Sequence, residues 1–251
     1  GSAGVKSGRP LVFTDHGNYG HGRVWTWRDR VKRSLQRRFT RHIDHFTFNS
    51  EYTQALAFAA FDLDRKICTV VPNGIVHDSR TVDMSELPPE LLERVSGKFV
   101  VGTTSRLAGF KRVHLLIDAF SELQKNWDNV ALLIVGDGAL RADLEARVDG
   151  LGIGQNVIFA GYRRNVRAYQ NLMNTCVFPS IGEPFGLVAI ESLAQGKATV
   201  VMADGGGIAD IVRRVEPENV VQGVGELITR LAELYADEQR CADEQRSGPE
   251  P

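Results

Sequence analysis

The sequence predicts an α/β protein whose main sheet is parallel and covered by helices on both faces. Three observations carry this. From Phe99 onward, short apolar runs alternate with stretches of helical spacing. The runs themselves, such as Val130-Ala131-Leu132-Leu133-Ile134-Val135, read as buried strands. Several of them end in glycine-containing loops, which should then line one crevice at the strand ends.

In chain order, residues 1–10 read as a flexible leader and enter no fold argument. A smaller domain is expected over 11–75. Its first strand, 11–14, ends in Asp15-His16-Gly17-Asn18-Tyr19-Gly20-His21-Gly22, so His16 sits at a strand end beside a glycine-rich loop. Function or a solvated loop histidine fits that local pattern equally well. Trp27, Val31, Leu35, Phe39 and Ile43 then mark one face of a helix whose remaining surface is basic. That helix either rests on an anionic membrane or packs, solvated, on its own domain, and the second reading is preferred. No interleaved aromatic platform accompanies the charge, which argues against nucleic acid.

His45-Phe46-Thr47-Phe48 begins a second strand, with Ser50 capping a helix from Glu51. Cys68-Thr69-Val70-Val71 is a third, closed by a turn at Pro72-Asn73-Gly74. Residues 76–96, with Pro88-Pro89, have linker composition. The second domain, 97–235, opens on the strand Phe99–Thr104. Helices follow at 114–125, 140–148 and 166–173, with strands at 130–135, 157–159, 176–178 and 198–201. Residues 236–251 form a polar tail in which Ala-Asp-Glu-Gln-Arg occurs twice, extending the preceding helix by a turn or two before fraying.

At 251 residues the chain can bury a sizeable core. A net charge of −1 hides a basic first fifty residues and an acidic last stretch. No apolar run approaches the roughly 20 residues of a membrane span. Cys68, Cys176 and Cys241 are odd in number, widely spaced and without metal-ligand neighbours. They favour a reducing, cytoplasmic compartment, with the basic helix of 27–43 as the surface for any peripheral membrane contact.

The chain is organised around Gly182-Glu183-Pro184-Phe185-Gly186-Leu187-Val188-Ala189-Ile190-Glu191. A buried strand runs into this loop, and helical spacing begins near Leu187, so Glu183 and Glu191 fall on different elements. Gly186 lets the backbone approach a ligand, and the amides after it open a helix N-terminus that favours an anion. Arg106 and Lys111 flank a glycine-containing loop after the strand Phe99–Thr104 and suit a diphosphate as well as they suit surface ion pairs. Gly136-Asp137-Gly138 and Gly205-Gly206-Gly207 are weaker candidates for a close phosphate approach.

Glu183 to Glu191, with Phe185-Gly186-Leu187 inside, resembles the E-x7-E signature of retaining, GT-B-fold glycosyltransferases of the family-4 type. Pro72-Asn73-Gly74, Arg106 with Lys111, Val135-Gly136-Asp137-Gly138, Phe159-Ala160-Gly161 and Gly205-Gly206 match in the same order. The resemblance covers roughly residues 11–235. It implies a Rossmann-like C-terminal domain holding a UDP- or GDP-sugar, closed against a partial Rossmann-like N-terminal domain. Arg106 and Lys111 would then neutralise the diphosphate without a metal, and the nucleotide sugar is substrate, with no cofactor implied. Glu183 would bond donor-sugar hydroxyls, while Phe185, Gly186, Leu187 and Val188 meet phosphate. Glu191 would accept from ribose hydroxyls, and the backbone around Gly161-Tyr162-Arg163 would meet the base. His16 would approach the sugar from the N-terminal side.

The resemblance further implies front-face hexosyl transfer, with retention, to a saccharide or lipid-linked hydroxyl acceptor. Only about the second half of the family's N-terminal domain has a counterpart, and the family's glycine-rich loop after its first strand has no match. The glycine turn and last strand expected after Ile211-Val212 are absent from the sequence pattern. A half sheet would expose an apolar edge, so a partner, a second copy or residues missing from this sequence are expected to cover it. The rival expectation is a nucleotide-sugar-binding module, inactive alone.

Overall fold

The computed structural model describes residues 10–17, 40, 42–60, 63, 67–76 and 82–246, the last five by backbone alone. Most of the basic stretch 27–43 and of the glycine-rich loop after Gly17 lies outside these residues. Two parallel sheets are present among them. The smaller has three strands, β1 (Val12–Asp15), β2 (His45–Phe48) and β3 (Cys68–Val70), with β2 in the middle. Helix α1 (Glu51–Ala60) follows β2, and Ser50 caps it as expected, its Oγ accepting from Thr53 N at 2.9 Å. Phe46 and Phe48 are buried, whereas Val12 and Phe13 on the β1 edge are 58% and 47% exposed. Pro72-Asn73-Gly74 lies in an irregular connection rather than a regular turn.

The larger sheet has six strands in the order β6-β5-β4-β7-β8-β9. These are β4 (Phe99–Thr104), β5 (Val130–Val135), β6 (Val157–Gly161), β7 (Thr175–Phe178), β8 (Ala198–Met202) and β9 (Val220–Val221), all paired in parallel. This is the 3-2-1-4-5-6 order of a Rossmann sheet, in which strand order reverses between the first and fourth strands. Here the reversal falls between β4 and β7.

Neighbouring residues of one strand feed opposite cores, which is why these strands are continuously apolar. Val101, Leu132 and Ile134 pack with α3 (Val113–Gln124), α4 (Arg141–Leu151) and α8 (Val224–Arg246). Val100, Leu133 and Val135 pack with α2 (Pro89–Val95), α5 (Val166–Asn171), α6 (Leu187–Ala194) and α7 (Gly207–Arg213).

Three local expectations are corrected. Residues 89–95 are helix, not linker: Pro89 occupies the helix's first turn, where its missing N–H costs nothing, and Leu87, Leu91 and Val95 are buried. A last strand does exist. Val220 and Val221 pair with Val201 and Met202, and buried Asn219 orders the approach by donating to Glu216 Oε2 at 2.6 Å and accepting from Arg230 Nε at 2.6 Å. The tail is not a turn or two but the end of the 23-residue helix α8. Tyr235 stacks on Trp127 with centroids 4.7 Å apart, and Asn174 Nδ2 donates to Glu238 Oε1 at 3.1 Å, so the helix is anchored along its length.

If α2 is part of the core, Leu91→Ala should cost about 2–5 kcal/mol in denaturant unfolding. A change within about 0.5 kcal/mol, the range of an ordinary surface position, would return this segment to linker status.

Candidate functional site

The reversal of strand order brings the loop after β4 and the loop after β7 to one crevice, and the two are bonded to each other. Lys111 Nζ donates to both carboxylate oxygens of Glu183, at 2.6 and 2.7 Å, with the two side chains 10% and 14% exposed. Ile181 N donates to Phe110 O at 2.8 Å beside them. Arg106, in the same loop as Lys111, is exposed and has no side-chain partner among the described residues. The diphosphate candidates thus separate: one is already neutralised by a carboxylate, the other points open.

Arg112 is a residue the sequence reading missed. It adopts φ 48°, in the left-handed region, and caps α3 from there. Its guanidinium donates to Pro179 O at 2.8 Å, to Ser180 O at 3.1 Å and to both oxygens of Asp204 at 2.9 and 2.5 Å. One side chain therefore grips the end of β7 and the loop after β8. No sequence signal singles it out, since it reads as one more surface cation after Lys111.

The turn that carries Glu183 is fixed through its backbone. Glu183 N donates to Gly205 O at 2.6 Å and Gly207 N to Glu183 O at 2.8 Å. Next in sequence, the Pro184 carbonyl accepts from Ser50 Oγ at 2.5 Å and from Thr53 Oγ1 at 3.2 Å, two hydroxyls of the smaller domain. Ser50 was expected only as a helix cap; it also fastens the two domains at this turn. The loop bearing His16 lies against the same turn, since a Cβ built on Gly17 would meet the Pro184 ring at 2.8 Å. His16 itself is exposed.

Phe185 is buried, and Gly186 takes φ 101° as the residue capping the N-terminus of α6, where a Cβ would come within 2.5 Å of Ile208. Only glycine fits that conformation and that space. The amides of Leu187 and Val188 follow, without acceptors among the described residues, as the first turn of a helix requires. Glu191, one turn further, lines a cleft of about 510 Å³ with Leu187, Gln195, Arg164, Arg167 and Gly74. Burial pushes its carboxyl above the usual carboxylate range.

Gly161 ends the edge strand β6, and Tyr162 and Arg163 follow it. Gly136 N donates to Gly161 O at 2.8 Å, Tyr162 is 71% exposed and Arg163 lies 5.8 Å from the Tyr169 ring. The Gly136-Asp137-Gly138 stretch serves packing: a Cβ on Gly136 would meet Ser105 O at 1.9 Å and one on Gly138 would meet Leu107 O at 2.4 Å.

The family of glycosyl transferases group 1 matches residues 89–248, and Glycosyltransferase Family 4 matches residues 1–79. A 2-deoxystreptamine glucosyltransferase of Streptomyces kanamyceticus is 28% identical over 239 residues, covering 88% of this chain and 60% of the relative. A GDP-mannose-dependent α-(1-6)-phosphatidylinositol monomannoside mannosyltransferase of Mycolicibacterium smegmatis is 28% identical over 251 residues, covering 93% and 63%. Among solved structures, Anabaena Alr3699/HepE in complex with UDP-glucose superposes with a TM-score of 0.77 at 25% identity, covering 95% of this chain and 66% of that one. The chain thus spans under two thirds of the length of each of these proteins.

The raised Glu191 value fixes a sign. Its ionised form is the costly one in the folded state, so the cost is present at neutral pH and relieved as pH falls through the folded value. Glu191→Gln should therefore melt above the parent near neutral pH, with the gap closing as pH approaches the ordinary carboxylate range. Thermal unfolding across pH measures this, and a pH-independent gap would contradict it.

Proposed function

The chain belongs to the glycosyl transferases group 1 family, with the GT-B architecture of the family-4 type, and we propose that it moves a hexosyl group from a UDP- or GDP-sugar to a hydroxyl acceptor, with retention. The observation that carries this reading is the junction of Lys111 with the Glu183-to-Gly186 turn at the strand-order reversal, beside an Arg106 without a side-chain partner among the described residues. Cations from one loop, a carboxylate and open amides from another suit a diphosphate bearing a hydroxyl-rich group. A UDP-glucose complex of the Anabaena protein and the GDP-mannose dependence of the mycobacterial relative support a nucleotide sugar.

In this reading Arg106 and Lys111 offset the charge that grows on the leaving diphosphate as the bond from the sugar anomeric carbon to phosphate oxygen breaks. The acceptor oxygen bonds to that carbon from the same face, and its proton passes to the departing phosphate oxygen. Glu183 holds sugar hydroxyls, and the Phe185, Gly186, Leu187 and Val188 backbone faces phosphate. Glu191, in its cleft, accepts from the ribose, and the Gly161-Tyr162-Arg163 backbone meets the base. His16 reaches the sugar from the smaller domain, whose Gly17 loop already touches Pro184. The phosphatidylinositol-linked acceptor named for the mycobacterial relative supports a lipid-linked acceptor here as well as a free saccharide. The three cysteines are free, which suits the reducing, cytoplasmic compartment expected.

The test is nucleoside diphosphate release from UDP-, GDP- and ADP-sugars over a panel of hydroxyl acceptors, with binding followed separately by thermal shift. Release identifies the transferase. Binding without release favours a nucleotide-sugar-binding module inactive alone. Arg106→Ala should weaken nucleoside diphosphate affinity by about 10- to 100-fold, the scale of a lost charge-assisted contact. Parental affinity in that variant would refute the diphosphate assignment.

A further inference from the structure

The cation best placed for the diphosphate is not free. Lys111 Nζ gives bonds to both oxygens of Glu183, and both side chains are nearly withdrawn from solvent. The Glu183 backbone is held on both sides by Gly205 and Gly207, which anchors its nearly buried side chain beside Lys111. A phosphate that draws on Lys111 must therefore lie close to the Glu183 carboxylate. In a site this dry, the repulsion between them is weakly screened by salt.

An intact nucleotide sugar relieves that conflict in two ways. Its hydroxyls can donate to the Glu183 oxygens that Lys111 gives up. Its diphosphate is also a diester, carrying about one negative charge fewer near neutral pH than a terminal diphosphate. The spent nucleoside diphosphate has neither advantage: it brings the extra charge and no hydroxyl of the transferred sugar. Resting on the reading above, we propose that Glu183, by holding Lys111, makes the site discriminate between donor and spent donor, and so favours departure of the nucleoside diphosphate. Removing the Glu183 charge leaves Arg106 and Lys111 both uncompensated among the described residues, which should turn the site into a better trap for the product.

Titration calorimetry on the full chain tests this with UDP and GDP and with their glucose and mannose conjugates. Glu183→Gln should bind the nucleoside diphosphate about tenfold more tightly than the parent and lose the parent's relative preference for the conjugate. Equal or weaker binding of the nucleoside diphosphate by this variant would overturn the inference. A second measurement needs no variant: in the parent, at least one conjugate lacking a single sugar hydroxyl should lose most of the preference over the nucleoside diphosphate. If every deoxy conjugate keeps the full preference, Glu183 is not the discriminator. A parent that binds neither nucleoside diphosphate nor conjugate defeats the underlying nucleotide-sugar reading. A parent that binds both, with a variant that gains nothing, defeats this inference alone.

Discussion

Lys111 and Glu183 meet because strand order reverses between β4 and β7. In a doubly wound sheet, connections leave the central strands toward opposite sides, and the loops at that point part to form a crevice. The ion pair spans that crevice between residues 72 positions apart in sequence. Nothing local joins them. Remove the reversal, and the loop after β4 would face a different neighbour, leaving a nearly buried ammonium and a nearly buried carboxylate each without its counter-charge. Breaking such buried pairs costs about 3–5 kcal/mol, so sheet topology and site electrostatics are one constraint seen at two scales.

Around that pair, the backbone is held more firmly than stability alone would ask. Arg112 sits in the left-handed region, a conformation costing a non-glycine residue about 1–3 kcal/mol. It persists there because two carbonyls and a carboxylate receive its guanidinium. The Pro184 carbonyl is likewise met by two hydroxyls, from Ser50 that caps α1 and from Thr53 in its first turn, so the smaller domain touches the turn next to Glu183 rather than some remote surface. A cap that satisfies its own helix and also binds a carbonyl of another domain makes docking sensitive to the geometry of this one turn.

Much of the fold was legible because its strands are buried on both faces and so appear as unbroken apolar runs. Val130–Val135 was bounded correctly from sequence, and the order of later elements followed from the alternation. What failed, failed for physical reasons. Pro88-Pro89 signals a break in the chain, yet Pro89 is also compatible with a first helical turn, and only the buried Leu91 and Val95 decide between the two. Val220-Val221 is too short to announce a strand, because the side-chain bonds of Asn219 do the ordering that length does elsewhere. At the site, the glutamates, Gly186 and Lys111 could be read from residue type and spacing. Arg112 could not, since its role depends on carbonyls 67 and 68 residues away.

Two features near the strand-order reversal run against the stability of the empty fold. Burial disfavours the ionised form of Glu191. Arg112 is strained at its backbone. A sequence selected for folding alone could relieve the first cheaply, by an amide at 191. Their coincidence at one strand-order reversal, within a fold whose two cores are otherwise filled with aliphatic and aromatic side chains, is the pattern expected where local rules yield to a ligand. The Lys111–Glu183 pair belongs with them: it neutralises the site while empty, and it must open or be shared before anything anionic can use it.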